Sequence, residues 1–188
     1  VWAIAEDDHG LVLAKMQDGE LKTTALRPKS DFPVSDFAAV CFENAAGRAR
    51  AMVLGGRTKS GAVLNSRWNI EFSPVVGYRM QNFSIDRPAF TDLTGASIIW
   101  YNHQLLMFGG VDADMQYLGR DILVSNDEGL NWTAADSTKN CLPDTYTARQ
   151  KQSVLVRDNA VYVFGGEQQD RTFSDVYRGK LNSIDWNN

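Results

Sequence analysis

Histidine and cysteine are scarce in this sequence of 188 residues, which contains two of each. Neither His9 nor His103 has a cysteine close by along the chain, so no zinc site of standard spacing is predicted. Nothing in the positions of Cys41 and Cys141 requires a disulfide bond, and we predict two unpaired thiols. Two histidines also do not provide the ligands of a copper centre, and neither a metal site nor a cofactor is predicted.

A large excess of one charge sign and a long apolar run are also missing. The chain has 19 Lys and Arg against 23 Asp and Glu, a formal charge of -4, which gives no electrostatic footprint for nucleic acid. No apolar run approaches the roughly 20 residues of a membrane span. No signal peptide is recognised, and since the chain starts at Val1 within an apolar run, we expect a processed or truncated piece.

The composition is that of a folded chain. Apolar residues make up 44% and charged residues 22% of the sequence, which excludes disorder as a description of the whole chain. Apolar residues do not recur with helical spacing over any long window. The sequence therefore predicts an all-β protein.

Three diglycines divide the sequence into repeats. Each diglycine follows a short apolar run, and the second glycines are spaced 54 and 56 residues apart. The pairs are Gly55 with Gly56, Gly109 with Gly110, and Gly165 with Gly166. Periods near 50 residues are typical of β-propeller blades. We give these glycines a structural role, because a Cβ at the end of the second strand would block close backbone approach or a positive φ.

Other strand signals recur at similar distances after each diglycine. A third strand is predicted after each of them, at residues 67–70, 121–124 and 175–178. A tryptophan stands at the fourth-strand position twice, as Trp132 and Trp186. Each repeat thus supplies the strands of one four-stranded blade.

The first segment belongs to the same series. Residues 1–6 align with residues 161–166, with Ala5-Glu6 in place of the diglycine, so we expect them to form a second strand. Residues 11–15 and 21–24 then supply a third and a fourth strand, joined by a hairpin at Asp18-Gly19. We therefore predict a β-propeller of four-stranded antiparallel blades, one partial and three whole. The blade boundaries fall at about 1–27, 28–83, 84–138 and 139–188.

The three diglycine blades resemble kelch repeats, in which an aromatic residue and then a tryptophan follow the diglycine. Tyr117 and Phe173 stand seven residues past the second glycine of their blades and fit the aromatic position. The first diglycine blade has Leu64 nearby instead and lacks the fourth-strand tryptophan, so it matches less closely.

A second resemblance lies in the stretch from Ser125 to Trp132. It reads Ser-x-Asp-x-Gly-x-x-Trp, with Asp127 and Gly129 at the inner positions, and is similar to the Asp-box of sialidases and other propellers. The resemblance implies a structural hairpin between the third and fourth strands, in which the Asp side chain accepts hydrogen bonds from turn amides and the Trp packs beneath. Kelch-like blades with one such hairpin resemble uncharacterised envelope propeller domains of gut bacteria, which implies an extracellular, periplasmic or cell-surface location.

Two ring sizes are compatible with this number of blades. The chain could close a small four-bladed ring, or it could be part of a larger six- or seven-bladed ring. We favour the larger ring, because kelch-type blades are wedge-shaped for larger rings. Open blade edges would then expose unpaired strands, and self-association through those edges is a possible way to cover them.

The resemblance to kelch rings implies that the ligand face is built from the loops between strands two and three and the loops between blades. There a tyrosine could stack on a sugar, and carboxylates and arginines could bind hydroxyls or an acid group. Chosen by position in these loops, the candidate ligand-binding residues are Arg57, Asp86, Arg87, Asp112, Asp114, Tyr146, Arg149 and Glu167.

The sequence leaves three functions open, and no catalytic residue is assigned. The preferred hypothesis is a binding or interaction propeller of the bacterial envelope, with a glycan or protein ligand. The alternative is a carbohydrate-active enzyme of the sialidase or sialic-acid mutarotase type, although the loop Arg, Tyr and Asp residues match no sialidase spacing. A cytosolic kelch adaptor that docks protein partners is the third, and the Asp-box-like hairpin weighs against it. The fold by itself does not decide among them.

Overall fold

The computed structural model describes residues 2–7, 10–25, 32–44, 46–73, 77–84, 93–136 and 140–181. These residues form β-strands and turns without any α-helix. All strand pairs among them are antiparallel. Three of the sheets have four strands, so the prediction of an all-β chain built from four-stranded antiparallel sheets is confirmed.

The first sheet has three strands that pair in chain order. They are β1 (Trp2–Asp7), β2 (Gly10–Gln17) and β3 (Glu20–Ala25). Asp18 and Gly19, with φ angles of 54° and 80°, form the turn between β2 and β3, and the predicted hairpin is confirmed. β1 contacts β4, the inner strand of the second sheet, just as the inner strands of the later sheets contact one another. The expectation that residues 1–6 form a second strand is therefore wrong, because β1 lies at the inner position.

The second and third sheets share one plan. The second sheet consists of β4 (Ala38–Glu43), β5 (Ala49–Leu54), β6 (Ser66–Ser73) and β7 (Gly77–Ser84). The third consists of β8 (Ser97–Tyr101), β9 (Gln104–Phe108), β10 (Leu123–Ser125) and β11 (Thr133–Ala134). In both, a short turn joins the first two strands, and the long diglycine loop joins the second strand to the third.

The fourth sheet takes its outer strand from an earlier part of the chain. Its strands, from inside to outside, are β13 (Ser153–Arg157), β14 (Ala160–Phe164), β17 (Val176–Leu181) and β12 (Asn140–Cys141). A small hairpin of β15 (Glu167–Gln168) and β16 (Arg171–Thr172) lies within its diglycine loop. The connection from the third sheet thus covers the edge of β17, whereas the tryptophan expected there, Trp186, lies outside the described residues.

Apolar side chains fill the spaces between neighbouring sheets. Strand β9 shows why, because all five of its residues are buried and successive side chains point to opposite faces. Leu105 and Met107 pack toward the second sheet, whereas Leu106 and Phe108 pack toward the fourth. A strand covered on both faces therefore reads as a continuous apolar run rather than an alternating one.

The diglycines of the second and third sheets allow the next sheet to approach closely at the end of the second strand. All six glycines have positive φ, and a Cβ at Gly109 would lie 2.5 Å from the Arg149 carbonyl oxygen of the fourth sheet. The N–H of Gly56 donates to Leu93 O at 2.9 Å, and that of Gly110 donates to Arg149 O at 2.9 Å. The first glycine of these two diglycines is thus a point of contact between sheets. A Cβ at the second glycine would instead meet the segment before the inner strand of its own sheet, at 2.8 Å from Ser35 O for Gly56 and at 2.9 Å from Ala96 Cβ for Gly110.

The hydrogen bonds of the diglycine loops correct one alignment. The N–H groups of Leu64, Leu118 and Phe173 donate to the carbonyl of the second glycine in their own sheet. Leu118, and not Tyr117, is therefore the equivalent of Phe173, because the diglycine loop of the third sheet is one residue longer than that of the fourth. The Tyr117 hydroxyl instead accepts the N–H of Gln169 at 2.9 Å and links the third sheet to the fourth.

The turn from Ser125 to Trp132 is held by its own side chains. Asp127 Oδ1 accepts the Asn131 N–H at 2.8 Å, and Ser125 Oγ accepts the Gly129 N–H at 2.8 Å. Burial alone would raise the pKa of Asp127, but the hydrogen bonds from Asn131 and Ser125 outweigh it, so that pKa is lowered. Trp132 is buried beneath the turn and donates its indole N–H to Gly129 O at 3.2 Å.

Both cysteines are free, so the prediction of two unpaired thiols is confirmed. Burial raises the pKa of the Cys41 thiol to about 11, which makes it a poor nucleophile at neutral pH. In the described part of the chain there is no helix with the length and apolar character to cross a membrane.

Candidate functional site

A cavity of about 380 Å³ opens where the inner strands β4, β8 and β13 begin. Each of these strands is preceded by a residue in the left-handed backbone region. These equivalent residues are Asp36, Gly95 and Lys151, with φ angles of 53°, 67° and 56°. We call this space the inner-strand cavity, and its entrance is the end of the sheets at which the diglycine loops lie.

The entrance of the inner-strand cavity is joined across three sheets by main-chain hydrogen bonds. The Lys151 N–H donates to Gly95 O, and the Gly95 N–H donates to Asp36 O, each at 2.7 Å. These bonds connect equivalent points of successive sheets. The left-handed conformation is easy for glycine and tolerable for aspartate, whereas for lysine it costs about 1 kcal/mol. A strained residue that keeps a long charged side chain is a candidate for function.

Four charged side chains form a network that we call the rim: Asp36 and Lys151 line the cavity, and Arg57 and Glu167 form ion pairs with these two residues without lining it. Lys151 Nζ lies 3.0 Å from Glu167 Oε1 and 3.4 Å from Asp36 Oδ1, and Arg57 Nε lies 3.4 Å from Asp36 Oδ2. The hydrogen bond with Glu167 and the nearby Asp36 carboxylate raise the pKa of Lys151, so the ammonium group is charged at neutral pH. Two positive and two negative groups, all partly exposed, can exchange these pairs for hydrogen bonds to a ligand.

The wall of the cavity combines polar groups near the entrance with aliphatic groups deeper inside. Ser97 donates its hydroxyl to Gln152 O, and Gln152 Nε2 donates to Phe108 O at 2.7 Å. Gln152 is buried, and its Oε1 has no hydrogen-bond partner among the described residues. Ile98 and Val154 contribute apolar lining. A concave site of this size with few fixed polar groups is typical of a pocket for a small ligand.

Two of the predicted ligand-binding residues lie on this rim, and two rim residues were missed. Arg57 and Glu167 belong to one network through their ion pairs with Asp36 and Lys151. Both stand in diglycine loops, where the sequence analysis placed the ligand face. Asp36 and Lys151 do not stand in those loops, since they directly precede inner strands. Their alignment with Gly95 was a signal in the sequence, because a glycine in one repeat indicates a left-handed backbone that the equivalent residues Asp36 and Lys151 share.

Asp112 and Asp114 do not line the cavity. Asp112 Oδ1 accepts the N–H groups of Asp114 at 3.0 Å and Gln116 at 2.8 Å, which stabilises the tip of its own loop. Asp114 is exposed at the same tip. The equivalent of Arg57 and Glu167 in this sheet is the buried Val111, so the third sheet adds no charge to the rim. Two further candidates, Asp86 and Arg87, lie outside the described residues.

Arg149 and Tyr146 lie inside the protein rather than in the cavity. The Arg149 side chain is fully buried and donates to Gly165 O at 2.9 Å and to both carboxylate oxygens of Asp175. Its guanidinium carbon lies 3.8 Å from the ring centroid of Phe173. Burial raises the pKa of Tyr146 to about 12, so its phenol stays protonated at neutral pH. These contacts commit Arg149 to holding the last diglycine loop.

The ion pair with Arg149 predicts an acid dependence of stability. The hydrogen bond from Arg149 holds the pKa of Asp175 below its ordinary value of 3.8. The pair therefore stabilises the protein fully above that value, and the contribution is lost as the pH falls through the lower pKa of the folded state. We expect the difference in unfolding free energy between the natural chain and Asp175→Asn to be constant near neutrality and to shrink below about pH 4. Urea unfolding from pH 7 to pH 2 measures it, and a difference that grows on acidification would contradict the assignment.

The described residues contain no cluster of His, Cys, Asp and Glu side chains that could hold a metal ion. The charged groups of the rim are suited to recognition of a polar ligand. Carboxylates accept hydrogen bonds from hydroxyl or amine groups, and the ammonium and guanidinium groups donate to hydroxyl or acid groups.

Comparisons with known proteins support the fold. A family model described as the DUF6242 beta propeller domain matches residues 1–188. No curated protein matches the sequence. A chain from a solved structure titled "Cryo-EM structure of RAG in complex with one melted RSS and one unmelted RSS" is similar, with a TM-score of 0.62 and 16% identity. The match covers 94% of this chain and 62% of that chain, and it concerns the fold alone. The predicted β-propeller class is thereby confirmed.

Proposed function

Because the chain belongs to the DUF6242 β-propeller domain family, we propose that it is a binding or interaction propeller whose inner-strand cavity holds a glycan. The observation that carries this proposal is a cavity of about 380 Å³ lined by Asp36 and Lys151, which form ion pairs with Arg57 and Glu167. A polyhydroxylated ligand suits a rim that offers donors and acceptors together without a net charge. A polar segment of a partner protein is the alternative occupant.

The finer assignments rest on the sequence resemblance. We propose that the repeats are kelch-like, in keeping with the diglycine loops, and that the turn at Ser125 and Asp127 is an Asp-box hairpin, in keeping with its side-chain hydrogen bonds. Membership of a larger ring and a location outside the cell or on the bacterial surface complete the proposal. Fractionation of the producing cells, followed by immunodetection, tests the location.

Two observations stand against the sialidase alternative. A tyrosine nucleophile must be deprotonated, and burial keeps the pKa of Tyr146 at about 12. A carboxylate-binding arginine must reach the ligand, and Arg149 is fully buried and paired with Asp175. Neither observation bears on a mutarotase, for which an assay of anomer interconversion is the direct test.

The proposal predicts that Lys151→Met weakens glycan binding about tenfold or more, because a charged hydrogen bond contributes about 1.5 to 3 kcal/mol. The natural chain is first applied to an array of host and bacterial glycans, and affinity for the best ligand is then measured by calorimetry. Lys59→Met is the matched control, since it removes the same charge from an exposed loop position. Equal affinities of the Lys151 and Lys59 variants would place the ligand elsewhere, and an array without binding would favour a protein ligand.

A further inference from the structure

The second sheet is basic, although the chain as a whole is acidic. Residues 44–84, which supply its last three strands, contain six Lys and Arg side chains and a single acidic side chain, Glu71. The rest of the chain therefore contains 13 of the 19 basic residues and 22 of the 23 acidic residues. A local excess of one charge sign within a protein of the opposite sign indicates a surface for a charged partner.

Three of these basic side chains surround Glu71 on one face of the second sheet. In the strand register Glu71 lies between Arg50 of β5 and Arg79 of β7, and directly paired residues project from the same side of a sheet. Arg48 Nη1 lies 3.2 Å from Glu71 Oε1, and Arg50 Nη2 lies 3.9 Å from the same oxygen. We call Arg48, Arg50 and Arg79 the arginine ledge.

The arginine ledge stays open because the second sheet is longer than the sheet packed against it. The outer strands β6 and β7 have eight residues each, whereas the outer strands of the third sheet, β10 and β11, have three and two. The hairpin that follows β10 reaches one side of the ledge, where Glu128 Oε2 lies 2.5 Å from Arg50 Nη1. Arg48 and Arg79 are exposed to solvent.

The charges of the arginine ledge are only partly neutralised. Glu128 pairs with Arg50, and the Glu71 carboxylate is shared between Arg48 and Arg50. Arg79 forms no ion pair with another residue in the described part of the chain. Guanidinium groups bind a carboxylate through two parallel hydrogen bonds. The Glu71 carboxylate therefore shows which group the ledge accepts, and it competes with a carboxylate from outside.

We propose that the arginine ledge is a second binding site, which holds an acidic polysaccharide by its carboxylate groups. Arg50 and Arg79 lie two strands apart, or about 10 Å, so a chain that crosses the strands meets successive cations. A polymer with a carboxylate on every sugar unit keeps these contacts wherever it starts. A peptide does so only if it is acidic throughout.

The arginine ledge is separate from the inner-strand cavity. Arg48 and Arg50 lie where β5 begins, whereas the entrance of the cavity is at the diglycine end of the sheets, where β5 ends. Lys151→Met is therefore expected to leave binding at the ledge unchanged. The two sites can fail or succeed independently in experiments.

The test measures binding of polygalacturonate, neutral dextran and polyglutamate to the immobilised 188-residue chain by biolayer interferometry. We expect polygalacturonate to bind most tightly, dextran not to bind, and the affinity for polygalacturonate to fall as sodium chloride is added. Arg79→Gln is expected to weaken polygalacturonate binding about threefold. Arg157→Gln, which removes an exposed arginine of the fourth sheet, is the matched control and is expected to bind as the natural chain does. Equal weakening by both substitutions would mean that net charge alone controls binding, and would overturn the proposal.

Glu71→Gln gives a readout that a purely structural ion pair would not give. Removal of the competing carboxylate frees Arg48, so polygalacturonate is expected to bind about threefold more tightly. Unchanged or weaker binding in a variant that urea unfolding shows to be folded would contradict the competition. Tighter binding of polyglutamate or of single-stranded DNA than of polygalacturonate would assign the ledge to a protein or a nucleic acid and overturn the proposal.

Discussion

Gly55→Ala is expected to destabilise the protein by at least about 3 kcal/mol. Gly55 has a φ of 62°, and an alanine Cβ there would lie 2.9 Å from the carbonyl carbon of Leu93 and overlap its oxygen. That carbonyl cannot move aside easily, because it accepts the N–H of Gly56 at 2.9 Å. The second and third sheets would have to separate locally, and apolar contacts between them would be lost.

Gly61→Ala separates this steric effect from the backbone effect. Gly61 also has a positive φ, 87°, but an added Cβ there meets no atom within 4 Å. Alanine at this position should cost only about 1 kcal/mol, which is the ordinary cost of a side chain in the left-handed region. Equilibrium unfolding in urea measures both variants. Equal losses at the two glycines would show that the sheets tolerate separation and that the close approach is not limiting.

Arg149→Met is expected to cost about 3 kcal/mol of unfolding free energy. The substitution keeps an apolar stem but removes the bonds to Gly165 O, Thr147 O and the Asp175 carboxylate. The carbonyls lose their donor inside the protein, and the contact with the face of Phe173 is also lost. Asp175 is partly exposed and can regain water, so the loss falls at the low end for a buried ion pair.

Arg157→Met is the matched control, because Arg157 is exposed and pairs only with its neighbour Asp158 in the described structure. That variant should change stability by less than about 0.5 kcal/mol. Thermal unfolding of both proteins by calorimetry measures the difference. Retained stability in Arg149→Met, together with a loss of ligand binding, would return Arg149 to the set of ligand-binding residues.

The predictable parts of this fold depend on short-range chemistry. A diglycine after an apolar strand indicates a positive φ and a close backbone neighbour, and the sequence Leu54-Gly55-Gly56 was enough to predict both. The turn at Asp127 is equally local, because its hydrogen bonds span four residues or fewer. Residues 1–6 were wrongly assigned to a second strand, because the apolar sequence of an inner strand resembles that of a second strand.

The candidate site was only half predictable for a related reason. Arg57 and Glu167 follow diglycines, and loops after a known strand can be assigned to one end of the sheets. Lys151 precedes an inner strand and lies more than 90 residues after Arg57 in the sequence. No local pattern in the sequence relates the two residues. Arg149 stands two residues away from Lys151 and yet points into the core.

The amino-acid sequence by itself determined the repeat, the antiparallel strands and the glycine contacts, because each depends on backbone geometry or on neighbours within a few residues. The tertiary structure alone decided which charges meet. Sheets arranged side by side bring Asp36 and Lys151 to one rim, bury Arg149 against Asp175, and leave Phe164 uncovered on the last face. Identical residue types become rim, core or surface according to which sheet lies next to them, and that neighbour is set by packing across long separations in the chain.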